Sequence, residues 1–353
     1  MDLGVTMRRI LFIAAAACCW IGLDPARAQN HSPPAGTQDN VHFPAYGSLA
    51  RSSEVMRRVF SPLTGATIRR DLARRGKTLN ETPLELTQED FLIYVPREKP
   101  AGGYRLLVFV PPWQKAQLPQ GWAPVLDAAG VMFVTAARSG NEEDIVSRRE
   151  PLAVIAAENL LAQYDIDRAQ IFVGGMSGGS RMALRLALAY PDLFRGAFLN
   201  SGSDVTGTLV EPLPPAPLFR QFQTGTRLLY VTGDHDAANV EQERRSILSM
   251  RAWCVSDIGT IRMAFTGHDV APASVLKRGL DLLLAPERPD PVALADCRAR
   301  IEADVAGQLD RVEALIGSGK RDDAKSLLKD IDSKYGGLAA PRSLDLDTAL
   351  NAP

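Results

Sequence analysis

The stretch Ile171-Phe172-Val173-Gly174-Gly175-Met176-Ser177-Gly178-Gly179-Ser180 decides the fold. Three apolar residues run into a glycine-rich turn, and the turn opens a helix beginning near Ser180. Gly175, Ser177 and Gly179 spell G-x-S-x-G. A strand, a sharp turn and a helix around that pattern form the setting of a nucleophile elbow, where serine sits in a strained conformation. Glycine is needed on both sides because side chains there would collide across the turn. The following helix points its positive end at the serine. A phosphate cradle is excluded, because the loop lacks the Lys-Ser/Thr ending.

Outward from this turn, short apolar runs recur: Phe91–Val95, Arg105–Val110, Val131–Thr135, Ala197–Leu199, Leu228–Val231 and Ile261–Phe265. They have the composition of strands buried on both faces. Helical patterns separate most of them, at Pro151–Gln163, Arg181–Ala189, Val240–Trp253 and Ala273–Leu284. Alternation of this kind predicts an α/β fold, a mostly parallel sheet covered by helices on both faces. Ligands to such sheets gather at the carboxyl ends of the strands. The chemistry is therefore expected there.

A serine hydroxyl needs a base. Of the four histidines, His31 and His42 precede the sheet and His235 follows Leu228–Val231. His268 follows the final apolar run and is the expected base. Its imidazole needs an orienting carboxylate. Gly233-Asp234-His235-Asp236 offers two, Asp236 with the better spacing and Asp234 as the runner-up, whose other role is to cap the turn. The resulting order is Ser177, Asp236, His268, each after an expected strand.

On these residues, and on Tyr190-Pro191-Asp192-Leu193-Phe194-Arg195-Gly196-Ala197 and Gly267-His268, residues of about 89–284 resemble an α/β-hydrolase. The nearest kinds are secreted esterases of the polyhydroxybutyrate-depolymerase and feruloyl-esterase type. The resemblance implies hydrolysis of a small-molecule or polymeric ester with neither metal nor organic cofactor. It also places the oxyanion hole at the N–H groups of Trp113 and Gly178. Such enzymes usually carry His-Gly after the strand matching Leu106–Val110, where this chain has Pro111-Pro112-Trp113. Proline has no N–H to donate, and losing one oxyanion donor costs about 100- to 1000-fold in turnover. Two other readings stay open. One is a small serine peptidase of the prolyl-oligopeptidase type; the other is a non-catalytic hydrolase-like binding protein.

The rest of the chain supplies the frame. It has 353 residues, 40 basic and 41 acidic, for a net charge of −1. A nucleic-acid binder needs a basic footprint that this balance does not provide. Arg8 and Arg9, the apolar run Ile10–Leu23 and the small residues Ala26 and Ala28 read as a secretory signal spanning residues 1–28. That predicts cleavage after Ala28 and a periplasmic or secreted protein with no membrane span after signal removal. A retained anchor and a lipid-attached Cys18 are the alternatives. Residues 29–88 read as a flexible leader and an N-terminal extension, 89–285 as the catalytic domain, and 286–353 as a linker and helical hairpin. The cluster Arg69, Arg70, Arg74 and Arg75 reads as a solvated helix face. Cys254 and Cys297 would close a loop of 43 residues if paired, and would otherwise be separate buried thiols. In the hairpin Leu294, Cys297, Ile301, Val305, Leu309, Val312 and Ile316 recur at helical spacing, answered by Ala324, Leu327, Leu328, Ile331 and Tyr335. One such unit cannot bury its own face. Its seam, within residues 292–335, is therefore expected against the main domain, a protein partner or a second copy.

Overall fold

The computed structural model describes residues 34–286 and 290–352. The signal segment, Cys18 and the linker's Pro289 lie outside the described residues. The strands are β1 (Gly36–Val41), β2 (Phe91–Val95), β3 (Tyr104–Val110), β4 (Val131–Ala136), β5 (Ile166–Met176), β6 (Gly196–Asn200), β7 (Arg227–Gly233) and β8 (Ile258–Met263). Among the described residues they form one sheet, in the order β1-β2-β4-β3-β5-β6-β7-β8. Only β2 runs against the others. This is the α/β-hydrolase arrangement. The chain leaves β3 toward β4 and leaves β5 toward β6, so the order reverses between β3 and β5. The crevice beyond their carboxyl ends is where such a sheet binds its ligands.

The helices are α1 (Ser52–Val59), α2 (Pro62–Arg74), α3 (Ala123–Ala129), α4 (Glu150–Gln163), α5 (Gly178–Ala189), α6 (Ala216–Gly225), α7 (Ala237–Ala252), α8 (Ala273–Leu283), α9 (Pro291–Gly317), α10 (Arg321–Tyr335) and α11 (Arg342–Asn351). They cover both faces of the sheet, which is why the inner strands are apolar without a break. In β3 the side chains alternate between two cores. Leu106, Val108 and Val110 join Leu152 and Ile155 of α4 and Leu184 and Leu188 of α5. Leu107 and Phe109 join Leu126 of α3 and Leu276 and Leu280 of α8. No helix among the described residues is long and apolar enough to cross a membrane.

Several elements differ from the sequence reading. Gly36–Val41 falls in the stretch read as a flexible leader, yet it pairs antiparallel with β2 at the sheet edge. Its sequence GTQDNV is polar because the main-chain ladder, not an apolar face, holds it. The last apolar run, Ile261–Phe265, is displaced: the strand is Ile258–Met263, and Phe265 stands 90% exposed on the turn beyond. The proline-rich stretch between Asp204 and Arg227 contains α6. Pro217 lies in its first turn, where a missing N–H breaks no helical bond. The four arginines lie on and just past α2, where Arg70 pairs with Asp347 and Arg74 with Asp71.

The hairpin of α9 and α10 packs on the body of the protein. Val305, Leu309, Val312, Ala324, Leu328, Ile331 and Tyr335 are all buried in the larger core. Asp332 of α10 accepts from the Ser61 hydroxyl (2.5 Å) and the Leu63 N–H (3.2 Å), so it serves the start of α2. Tyr335 meets Trp253 edge to face. Cys254, just past α7, is disulfide-bonded to Cys297 of α9. The seam expected to need a cover is thus covered by this chain's own α11, with α2 beside it.

Candidate active site

Strand β5 delivers Ser177 at φ 57° and ψ −121°, on the positive-φ side that non-glycine residues rarely occupy. Three surroundings hold it there. Its N–H donates to the Asn200 carbonyl at 2.8 Å. A Cβ on Gly175 would fall 2.2 Å from the Gly179 oxygen, and one on Gly179 would fall 1.9 Å from the Val110 oxygen. On the far side, a Cβ on Gly202 would lie 2.1 Å from the Ser177 oxygen. The turn can close this tightly only because those positions are bare. Helix α5 begins at the next residue, so its unsatisfied N–H groups and positive end face the serine.

His268 arrives from the loop after β8. Its Nε2 lies 2.8 Å from Ser177 Oγ, and its Nδ1 lies 2.7 Å from Asp236 Oδ2. Asp236 sits at the end of the turn after β7, just before α7. Asn239 Nδ2 donates to both of its oxygens, at 3.0 and 2.8 Å. Burial pushes the Asp236 carboxyl upward, but the hydrogen bonds from His268 and Asn239 outweigh it and hold the group below the usual carboxylate range. An ionised Asp236 can only accept from Nδ1, which favours the tautomer that presents a bare Nε2 to Ser177.

Asp234, the runner-up, does other work. It accepts from the N–H groups of Phe265 (3.0 Å) and Thr266 (3.1 Å), so it fastens the turn that leads to His268. Those backbone donors, Phe265 first, hold its carboxyl low. His235 is exposed, 3.8 Å from Asp234, and makes no contact with Ser177.

Gly178 follows the serine directly, and Trp113 lies on the loop after β3, the strand that pairs with β5. The loop Pro111-Pro112-Trp113 lies against the start of α5, since a Cβ on Gly179 would also come within 3.0 Å of the Pro111 carbonyl carbon. The loop is pinned through its carbonyls. The Asn141 N–H donates to Pro112 O (3.1 Å), and buried Arg149 donates from Nη2 to Pro111 O (3.2 Å) and from Nε to Ser139 O (2.9 Å). Burial lowers the Arg149 pKa to about 10, which still leaves it cationic at neutral pH. The Trp113 N–H has no acceptor among the described residues. The Asn141 carboxamide crowds Gly178, whose hypothetical Cβ would sit 2.2 Å from Oδ1.

Sequence reasoning missed the residues that place the histidine loop. Asn200, fully buried at the end of β6, donates from Nδ2 to the carbonyls of Val231 (3.3 Å) and Asp269 (3.1 Å). Its Oδ1 accepts from the Ala271 N–H at 2.7 Å. Trp122 Nε1 donates to the Ala271 carbonyl at 2.8 Å. The only available signal was an asparagine at a buried strand end, where a polar side chain must find partners. Arg149 and Asn141 likewise carry no motif.

No family model matches the chain, and a search of curated proteins found no match. Similar solved structures include the S-formylglutathione hydrolase FrmB from Staphylococcus aureus, at 12% identity over 56% of this chain and 93% of that one, with a TM-score of 0.44. A ferulic acid esterase is 15% identical over 55% and 91%, with a TM-score of 0.43. A puromycin-hydrolyzing peptidase from Mycobacterium tuberculosis is 18% identical over 55% and 37%, with a TM-score of 0.39. A structure described as a dipeptidyl aminopeptidase IV from Bacteroides ovatus is 18% identical over 55% of this chain, with a TM-score of 0.40, and this chain spans only 33% of its length. At these identities the likeness carries no information about substrate.

Proposed function

We propose that the protein is an exported serine hydrolase that cleaves carboxylic esters, with Ser177 as nucleophile, His268 as base and Asp236 as orienting carboxylate. The observation that carries the reading is the pair of contacts from one imidazole, 2.8 Å to the serine oxygen and 2.7 Å to the aspartate. His268 Nε2 takes the Ser177 proton as Oγ bonds to the ester carbonyl carbon, and the carbonyl electron pair moves onto oxygen. The N–H groups of Trp113 and Gly178 donate to that oxyanion. The intermediate collapses, the C–O bond to the alcohol breaks, and His268 returns the proton to the leaving oxygen. A water molecule then gives its proton to His268 and attacks the acyl-enzyme. The second intermediate collapses as the bond from the acyl carbon to Oγ breaks, His268 returns the proton to Oγ, and the acid leaves. No step uses a metal or organic cofactor. Pro111 and Pro112 contribute no N–H, and the single donor this loop must supply falls to Trp113. The Cys254–Cys297 disulfide supports export, because such bonds persist in oxidising compartments.

Labelling with a fluorophosphonate, wild type against Ser177→Ala, tests the assignment. Labelling and ester turnover in wild type, both lost in a variant of unchanged circular dichroism, are the expected result. A folded wild type that takes no label, or a variant that keeps its esterase activity, defeats it. Faster cleavage of an anilide than of the matched ester would move the enzyme to the peptidases. N-terminal sequencing of protein recovered from expressing cells is expected to begin at Gln29.

A further inference from the structure

A cavity lies between α6, α9 and the turn before α11, lined by none of the residues of the site above. Its volume is about 320 Å³, within the range of about 300–1,000 Å³ typical of ligand pockets. Phe219, Val305, Leu309 and Leu338 form an apolar lining. Arg220, Arg298 and Arg342 bring guanidinium groups to it, and Glu302 the one carboxylate. Two of those cations are already neutralised. Arg220 pairs with Glu302 at 2.7 Å, and Arg342 pairs with Asp310 and Glu313 at 2.7 and 2.5 Å.

Arg298 is different. Its Nε donates to Gln223 Oε1 and its Nη2 to the Arg220 carbonyl, both at 2.6 Å. Both acceptors are uncharged, and no carboxylate pairs with Arg298 among the described residues. Burial, and then the neighbouring Arg220 charge, depress its pKa, and the attraction of nearby Glu302 offsets this only in part. The two bonds fix the guanidinium plane and leave Nη1 without a protein partner. A preorganised guanidinium with a free edge matches a carboxylate. The adjoining surface is apolar and would take a hydrocarbon chain. No serine, cysteine or histidine lines the cavity, so nothing there would turn a ligand over.

We propose that this cavity binds a single-chain amphiphile with a carboxylate head, the head against Arg298 and the chain along Phe219, Val305, Leu309 and Leu338. Titration calorimetry of the full chain with decanoate, below its micellar concentration, tests this. Decanoate is expected to saturate one site, with decanol at least tenfold weaker. Arg298→Gln should weaken decanoate at least tenfold. Ala306→Trp, at an exposed helical position on the rim, should fill the cavity and abolish binding. No saturable binding, equal affinity for decanoate and decanol, or affinity that survives both substitutions overturns the proposal. So does a dimer in sedimentation that closes this groove and that decanoate leaves intact. If Ala306→Trp does not fold, Arg298→Gln and the decanol comparison decide.

Discussion

Ser177 is held in a backbone conformation that costs of order 1–3 kcal/mol at a non-glycine residue, and its neighbours over-determine it. That strain was legible in the sequence, because Gly175 and Gly179 are explicable only by a turn too tight for side chains. The choice between Asp234 and Asp236 was less so. Two residues apart on one turn, they have the same chemistry, and only the path of the chain aims one at His268 and the other at the backbone of Phe265 and Thr266. The two variants should therefore fail differently. Asp236→Asn is expected to keep the fold and lose about 10⁴ in turnover, because a neutral amide no longer fixes the imidazole tautomer. Asp234→Asn is expected to cost far less turnover and to show as faster amide exchange at Phe265 and Thr266. Paired kinetics and hydrogen exchange on the two proteins check this.

At the scale of elements, the end of β6 governs the histidine loop. Asn200→Ala leaves the Asp269 carbonyl and the Ala271 N–H without their partner. It is expected to lower stability by about 1–3 kcal/mol and to reduce kcat more than it raises KM, since the loop carries the proposed base. Steady-state kinetics with denaturant melts separate those effects. The loop between β6 and α6 holds a second element-scale feature. Its Leu209 and Val210 are exposed, while Glu211 is buried 3.6 Å from Arg185, which also pairs with fully buried Glu150. One guanidinium serves two carboxyls, and burial raises the Glu211 pKa to about 8 from its ordinary 4.5. The folded state thus prefers Glu211 protonated. Its stabilising effect is full below pH 4.5 and is lost as pH rises to about 8. Thermal melts from pH 5 to 9 are expected to show wild type losing ground to Glu211→Gln across that window. The elements that resisted reading share a cause. In β1 the main chain does the bonding, and α6 is masked by prolines that suit its first turn. Helix α1 is only eight residues long, and α2 buries no apolar side chain fully.

For the molecule as a whole, the two apolar stripes of the hairpin were legible, but their destination was not. Periodicity shows that a face is buried, not what buries it. Asp332, reaching across to Ser61 and Leu63, makes the hairpin part of the body. The disulfide fastens the same pieces covalently. Closing a loop of 43 residues contributes about 4 kcal/mol in the chain-entropy model. The Cys254→Ser/Cys297→Ser double variant is expected to lose up to about that much, read as a lower denaturation midpoint, with the proposed ester cleavage little changed in the protein that remains folded.

The same bond has a consequence for how the active site is distributed along the chain. His268 lies inside the loop that Cys254 and Cys297 close, whereas Ser177 and Asp236 lie before it. A single proteolytic cut between Cys254 and His268 would divide the proposed nucleophile and its proposed base between two polypeptides, yet leave them tethered at one sulfur–sulfur link. Such a nicked protein would run as one species until a reductant parted the fragments, and with them the two halves of its chemistry.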